Sequence, residues 1–147
     1  MAAANYNFSI EKGTSFVISF QYLDSNNIPI NLTNWCARLR WIDNTGTINT
    51  YYTSNINEDY SFTLEPTDGK ILFQIPAIKT AAITWTSARY DLDLQEPINL
   101  YSSSLQENKK VFRILEGSIS VVTPNIDIYE SFACSTDSAG SCGTCPQ

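Results

Sequence analysis

Apolar and polar residues alternate in short runs along most of this chain, and each run is broken by Gly, Pro or an Asn/Asp cluster. The clearest run puts Phe16, Ile18, Phe20 and Tyr22 on one parity and Val17, Ser19 and Gln21 on the other. A period of two sends successive side chains to opposite faces, so this run predicts a half-buried strand. A shorter run over residues 6–10 precedes it and stops at Lys12-Gly13. Further on, Ala37, Leu39 and Trp41 share a face opposite Arg38 and Arg40. Residues 47–53, 61–64, 70–75, 89–94 and 111–122 read as additional strands. Ile71, Phe73 and Ile75 share a face, and Tyr90, Leu92 and Leu94 point inward with Asp91 and Asp93 outward. Phe112 and Ile114 have one parity, Ile119 and Val121 the other, which predicts a bulge around Gly117.

The breaks have their own chemistry. Asp24-Ser25-Asn26-Asn27, Asp43-Asn44-Thr45-Gly46 and Pro66-Thr67-Asp68-Gly69 are turn sequences. Pro29 confines its segment to an edge or a connection. Residues 31–34 read as a single helical turn opened by a capping Asn31. Residues 78–85 lose the alternation and predict one or two helical turns that place Ile78, Ala82 and Trp85 inward. Residues 97–108 are a polar, Ser-rich connection. Seven or eight strands at this spacing predict an all-β fold, a two-sheet antiparallel sandwich, with a closed barrel as the alternative. The sandwich domain spans residues 1–124. Residues 125–147 form an extended C-terminal tail with one apolar patch, Ile126, Ile128, Tyr129 and Phe132, and a Ser/Gly/Cys-rich end.

Composition narrows the function. The 147 residues are enough for one domain with a real core. Charged residues make up only 16% and aromatic residues 12%, which points to surface in contact with something other than water. Nine basic residues against fifteen acidic ones give a net charge of −6. With no basic stripe to neutralise phosphates, no nucleic-acid partner is expected. No run is long and apolar enough for a membrane span, and no secretory leader is expected. The chain has no histidine, which removes the Ser-His-Asp and Cys-His routes, His-ligated zinc and the commonest general base.

Other candidate chemistry is thin. Asp91 and Asp93 lie about 7 Å apart on one strand face. They could begin a calcium site or an acid/base pair, but no third carboxylate is tied to them, and a solvated face is the plainer reading. Glu58-Asp59 reads as a hydrated turn. Cys36, Cys134, Cys142 and Cys145 could form a disulfide pair with three possible connectivities, remain free thiols, or ligate zinc. The Cys142-Gly143-Thr144-Cys145 motif lacks the helix that a redox site needs. Trp35, Trp41 and Trp85 are assigned to the core. Tyr51 and Tyr52 are adjacent, so at least one faces outward, and they are the best exposed aromatics for a ligand or partner. No catalytic residue, cofactor or metal is expected.

The succession of quoted motifs carries a resemblance. Lys12-Gly13 and the long alternating strand lead to Asp24-Ser25-Asn26-Asn27-Ile28-Pro29-Ile30-Asn31-Leu32-Thr33-Asn34-Trp35. Then come Ala37-Arg38-Leu39-Arg40, Pro66-Thr67-Asp68-Gly69-Lys70-Ile71, Thr80-Ala81-Ala82-Ile83 before Arg89-Tyr90-Asp91-Leu92, and Arg113-Ile114-Leu115-Glu116-Gly117-Ser118-Ile119-Ser120-Val121. Over residues 6–124 this pattern resembles the small immunoglobulin-like β-sandwich structural proteins of tailed-phage virions, including the N-terminal domains of upper baseplate proteins. The resemblance implies a non-enzymatic assembly part in a virion, in tail, baseplate or neck, whose partners are other virion proteins and copies of itself. Capsid decoration and a carbohydrate- or receptor-binding module are the alternatives. Partner contacts are expected from Ile126, Ile128, Tyr129 and Phe132 of the tail and from Tyr51 and Tyr52.

Overall fold

The computed structural model describes residues 3–53, 55, 57–97 and 110–124. Among the described residues, nine strands run in chain order: β1 (Ala4–Asn5), β2 (Phe8–Glu11), β3 (Phe16–Gln21), β4 (Cys36–Asp43), β5 (Ile48–Tyr52), β6 (Ser61–Glu65), β7 (Lys70–Ile75), β8 (Ser87–Gln95) and β9 (Val111–Val122). A 3-10 turn (Pro66–Asp68) joins β6 to β7, and a short helix α1 (Ala77–Ala81) follows β7. The strands form two sheets. One has the order β1-β9-β8-β4-β5, with β2 also on β9, and the other has the order β3-β7-β6. The fold is an all-β two-sheet sandwich, as the alternation predicts. If β1 and β2 are taken as one interrupted strand, the described residues hold eight strands.

One feature departs from the antiparallel expectation. β1 and β2 both pair parallel to β9, while the other pairings are antiparallel. The N-terminal segment thus lies beside the last strand rather than making a hairpin with its sequence neighbour β3. It then crosses to the other sheet, and the Phe8 and Phe16 rings stack at 5.3 Å across the crossing.

The core lies between the sheets, where period-two alternation delivers one face of each strand. Leu39, Trp41, Tyr90, Leu92, Leu94 and Ile119 come from the larger sheet, and Phe62, Ile71, Phe73 and Ile75 from the smaller. Phe73 sits at the centre, touching the rings of Trp41, Tyr51, Tyr60 and Phe62. Such tilted and edge-to-face contacts add to the burial of large apolar area.

Turn chemistry works locally. Asp43 Oδ1 accepts from the Thr45 N–H at 2.9 Å, the Thr45 hydroxyl at 2.5 Å and the Thr47 N–H at 3.1 Å, closing the β4–β5 turn. Gly69 has φ +60°, and a Cβ there would meet the carbonyls of Tyr22 and Ile30 at 2.8 Å each, so glycine is required at this position.

Three local expectations are corrected. Residues 31–34 form a hydrogen-bonded turn and not a helical one. The Asn31 side chain accepts from the Thr33 N–H at 2.9 Å, but Asn34 adopts φ +64°, which ends any helix. On α1, Ile78 is 76% exposed and Ala82 is also exposed. The turn is rotated so that Thr80 and Ile83 face inward, because the Thr80 hydroxyl donates to the Thr14 carbonyl at 2.7 Å and accepts from the Gly13 N–H at 3.1 Å. Trp85 is buried as expected. The bulge in β9 is at Ile114, not Gly117: Leu92 pairs with Leu115 and Asp93 with Arg113, leaving Ile114 as the extra residue.

Candidate functional site

The outer face of the larger sheet carries a charge ladder set by strand register. The pairing of β4, β8 and β9 puts Arg38 opposite Asp93, Arg40 opposite Asp91, and Asp93 opposite Arg113. Asp93 receives Arg38 Nη2 at 2.6 Å on one oxygen and Arg113 Nε at 3.2 Å on the other. Asp91 Oδ2 lies 3.5 Å from Arg40 Nη2 and 3.4 Å from Arg113 Nη2. The two carboxylates that sequence placed on a solvated face are therefore ion-paired, and Asp93 is only 3% exposed. Its hydrogen bond holds the Arg38 guanidinium above its ordinary value. The lone pairs a cation would need are already engaged by arginine. Among the described residues, no group of three or more His, Cys, Asp or Glu could hold a metal ion.

Beside the ladder the same face turns apolar. Ile42 and Ile48 are register partners, 39% and 65% exposed, and Tyr52 at the other end of β5 is 39% exposed. β5 is an edge strand, Ile-Asn-Thr-Tyr-Tyr, with neither a charge nor a proline to discourage contact. An open recess of about 650 Å³ extends from Ile42 and Ile48 across Arg40, Arg89 and Asp91 to Glu116.

A second recess, of about 350 Å³, lies beside β5 toward the core. Trp41, Tyr51, Tyr60 and Trp85 line it, and Asn49, Asn57 and Asp59 supply polar side chains. The rings are mutually packed, Trp41 to Tyr51 at 4.6 Å, Tyr51 to Tyr60 at 4.6 Å and Trp41 to Trp85 at 5.7 Å. Burial raises the Tyr51 phenol well above its ordinary range, with Tyr60 and Asp59 adding to the shift. Lys79 Nζ and Asp59 Oδ1 form an ion pair of 2.5 Å at the mouth, so Asp59 is paired rather than simply hydrated.

The predicted contact residues divide. Tyr52 faces outward, whereas Tyr51 packs inward against Trp41 and Phe73. Trp41 and Trp85 are core residues, and Trp35 is partly buried and stacked on Phe112 at 6.2 Å. Cys36 is an exposed free thiol. Ile126, Ile128, Tyr129, Phe132, Cys134, Cys142 and Cys145 lie outside the described residues, as does most of the 97–108 connection. Sequence reasoning missed the ladder, although its signal was present in the matching spacing of Arg38/Arg40 and Asp91/Asp93. It missed the Ile42–Ile48 patch, whose trace was a strand without charge. The second recess left no trace, because its walls come from segments far apart in the chain.

Compared with known proteins, the chain matches no family model, and no curated protein is significantly similar to it.

Proposed function

We propose that the protein is a non-enzymatic structural component of a tailed-phage virion, a tail or baseplate part that works through protein–protein contacts. The observation that carries this reading is the outer face of β5. An edge strand without charge presents Ile48 and Tyr52, with Ile42 beside them, next to a ladder in which Arg38, Arg40 and Arg113 are paired with Asp91 and Asp93. A strand that carries aromatic and aliphatic side chains and no charge, with charged residues such as Arg89 at its border, has the composition of an interface core and its polar rim. Unprotected edge strands are otherwise rare, since they invite association. The virion assignment rests on the resemblance of turn and strand motifs over residues 6–124.

The test is incorporation into particles. Wild-type protein should copurify with intact virions at a fixed stoichiometry. Ile48→Lys, at a position 65% exposed, should fold normally and be lost from the particles. Truncation after residue 124 tests the tail anchors in the same way. Absence of the wild-type chain from purified particles, or full incorporation of Ile48→Lys, contradicts the proposal.

A further inference from the structure

We propose that the free edge of β5 pairs antiparallel with the β5 of a second copy of this chain, across a two-fold axis at Thr50. The inference rests on the reading of the β5 face as an interface and names its partner; it does not need the virion. Backbone pairing decides which groups are free. The Asp43 N–H donates to the Thr47 carbonyl at 3.0 Å and the Thr53 N–H to the Ala37 carbonyl at 3.1 Å. Hydrogen-bonded pairs alternate along an antiparallel ladder, so between these two bonds Asn49 and Tyr51 bond to Trp41 and Leu39. Ile48, Thr50 and Tyr52 therefore turn their N–H and C=O groups away from β4, to the edge of the sheet. Among the described residues, the one backbone group of this row with a partner is the Tyr52 carbonyl, which accepts from the Asn55 N–H at 3.3 Å.

The row is self-complementary. A two-fold at Thr50 makes Thr50 its own partner and sets Ile48 opposite the copy's Tyr52. The Thr50 N–H and C=O then bond their counterparts, and the Tyr52 N–H bonds the copy's Ile48 carbonyl. Thr–Thr and aromatic–β-branched pairs are among the favourable cross-strand pairs. Ile48 and Tyr52, 65% and 39% exposed, would cover one another on the outer face, with Ile42 next to Ile48 in the same row. Charge favours this edge. Two copies of net charge −6 repel, so they meet closely only where no carboxylate faces another. β5 has none. On the outer face the strand carboxylates nearest the edge are Asp91 and Asp93 of β8, two strands in or about 10 Å away, and both are ion-paired with arginine. β3 is also an uncharged edge strand. The same pairing there would set Val17 opposite Gln21, whose amide already donates to the Asp68 carbonyl at 2.9 Å. The β5 contact has 5 residues a side, against about 20–30 a side in a stable complex. The dimer is therefore weak, with Kd on the order of 100 µM.

The experiment is sedimentation velocity of the full chain from about 10 µM to about 1 mM, with amide hydrogen exchange at both ends of that range. The chain should pass from monomer to dimer, and the Thr50 and Tyr52 amides should become protected while Val17 and Ser19 do not. Thr50→Pro removes an N–H that β4 does not use, at an edge position where proline is tolerated. It should keep the near-ultraviolet circular dichroism and stay monomeric. A second readout serves even if that variant misfolds. With the four native cysteines replaced by serine, Thr50→Cys should link two copies under mild oxidation, because register partners at the axis lie about 5.5 Å apart. Ile48→Cys should not, because the two copies of that position lie four residues out of register, about 13 Å apart. A monomer at about 1 mM, a dimer that folded Thr50→Pro leaves intact, protection at Val17 and Ser19 instead, or equal linking at positions 48 and 50 overturns the inference. A monomer whose Ile48→Lys variant is still lost from particles overturns the self-pairing alone, whereas a dimer absent from particles overturns the virion reading alone.

Discussion

The Tyr90 hydroxyl donates to the Tyr6 carbonyl at 2.5 Å, and that carbonyl lies where a side chain on Gly117 would stand. Tyr90 and Gly117 are register partners on β8 and β9. A Cβ on Gly117 would come within 2.1 Å of Tyr6 O and 2.9 Å of Asn7 Oδ1. The N-terminal segment crosses the sheet edge through this gap. It is fastened by the Tyr6 N–H to Glu116 O at 2.9 Å and the Ser118 N–H to Asn7 Oδ1 at 2.9 Å. Gly117→Ala must therefore push the segment off β9 and should cost about 3 kcal/mol. Tyr90→Phe, which removes one hydrogen bond and keeps the ring, should cost about 1–2 kcal/mol. The double variant should cost less than the sum, because both changes act on the same carbonyl. Urea denaturation of the four proteins measures all three quantities.

Asp93 and Asp59 are both paired with cations, yet their removal should differ sharply. Asp93 is 3% exposed and holds Arg38 and Arg113, while Asp59 is 58% exposed and holds Lys79 alone. Asp93→Ala leaves two guanidinium groups facing one another without their shared carboxylate and should destabilise by about 3 kcal/mol. Asp59→Ala should cost less than about 1 kcal/mol, since water and salt already screen that pair. Equal losses in chemical denaturation would mean that the ladder is no more than a surface ion pair.

Thr80 is fully buried, and its hydroxyl serves Thr14 and Gly13 across the loop between β2 and β3. Thr80→Val keeps the shape and removes the hydrogen bonds to the Gly13 N–H and the Thr14 carbonyl, both on exposed residues, at a cost of about 1 kcal/mol. Hydrogen exchange should show the loss first at the Gly13 amide.

Stability should fall at both ends of the pH scale, for separate reasons. Hydrogen bonds from Thr45, with Thr47 assisting, hold the Asp43 carboxyl below its ordinary 3.8. A depressed folded value means that the contribution is present above 3.8 and is lost as pH falls through the lower folded value. Asp43→Asn should flatten the acid limb. Tyr90 behaves in the opposite sense. Burial, with Tyr6 adding to it, pushes its phenol up from 10 to about 12. The unfolded chain releases that proton first, so stability declines as pH rises from 10 toward about 12. Tyr90→Phe should make the alkaline limb shallower without touching the acid one. Denaturant midpoints across the pH range check both.

Much of this architecture was legible because its causes are local. The parity of Phe16, Ile18 and Phe20, or of Ala37, Leu39 and Trp41, decides which side chains a strand can bury, whatever the strand pairs with. Asp43 closes its turn with atoms four residues apart or fewer, so the turn could be read from its own sequence. The errors arose where a distant partner decides. Ile78 looked inward from the composition of its segment, but the Thr80 hydroxyl found partners at residues 13 and 14 and rotated the helix. Gly117 looked like a bulge because glycine often marks one. Its actual reason is the backbone of Tyr6, 111 residues earlier.

From the chain alone came the all-β class, the strands and turns and most of the core, since alternation and turn chemistry act over a few residues. Tertiary structure decided the parallel placement of β1 and β2 on β9, the bulge at Ile114, the arginine–aspartate ladder and the aromatic recess. Each depends on register between segments tens of residues apart, and a shift of one position would turn every side chain of a strand to its other face.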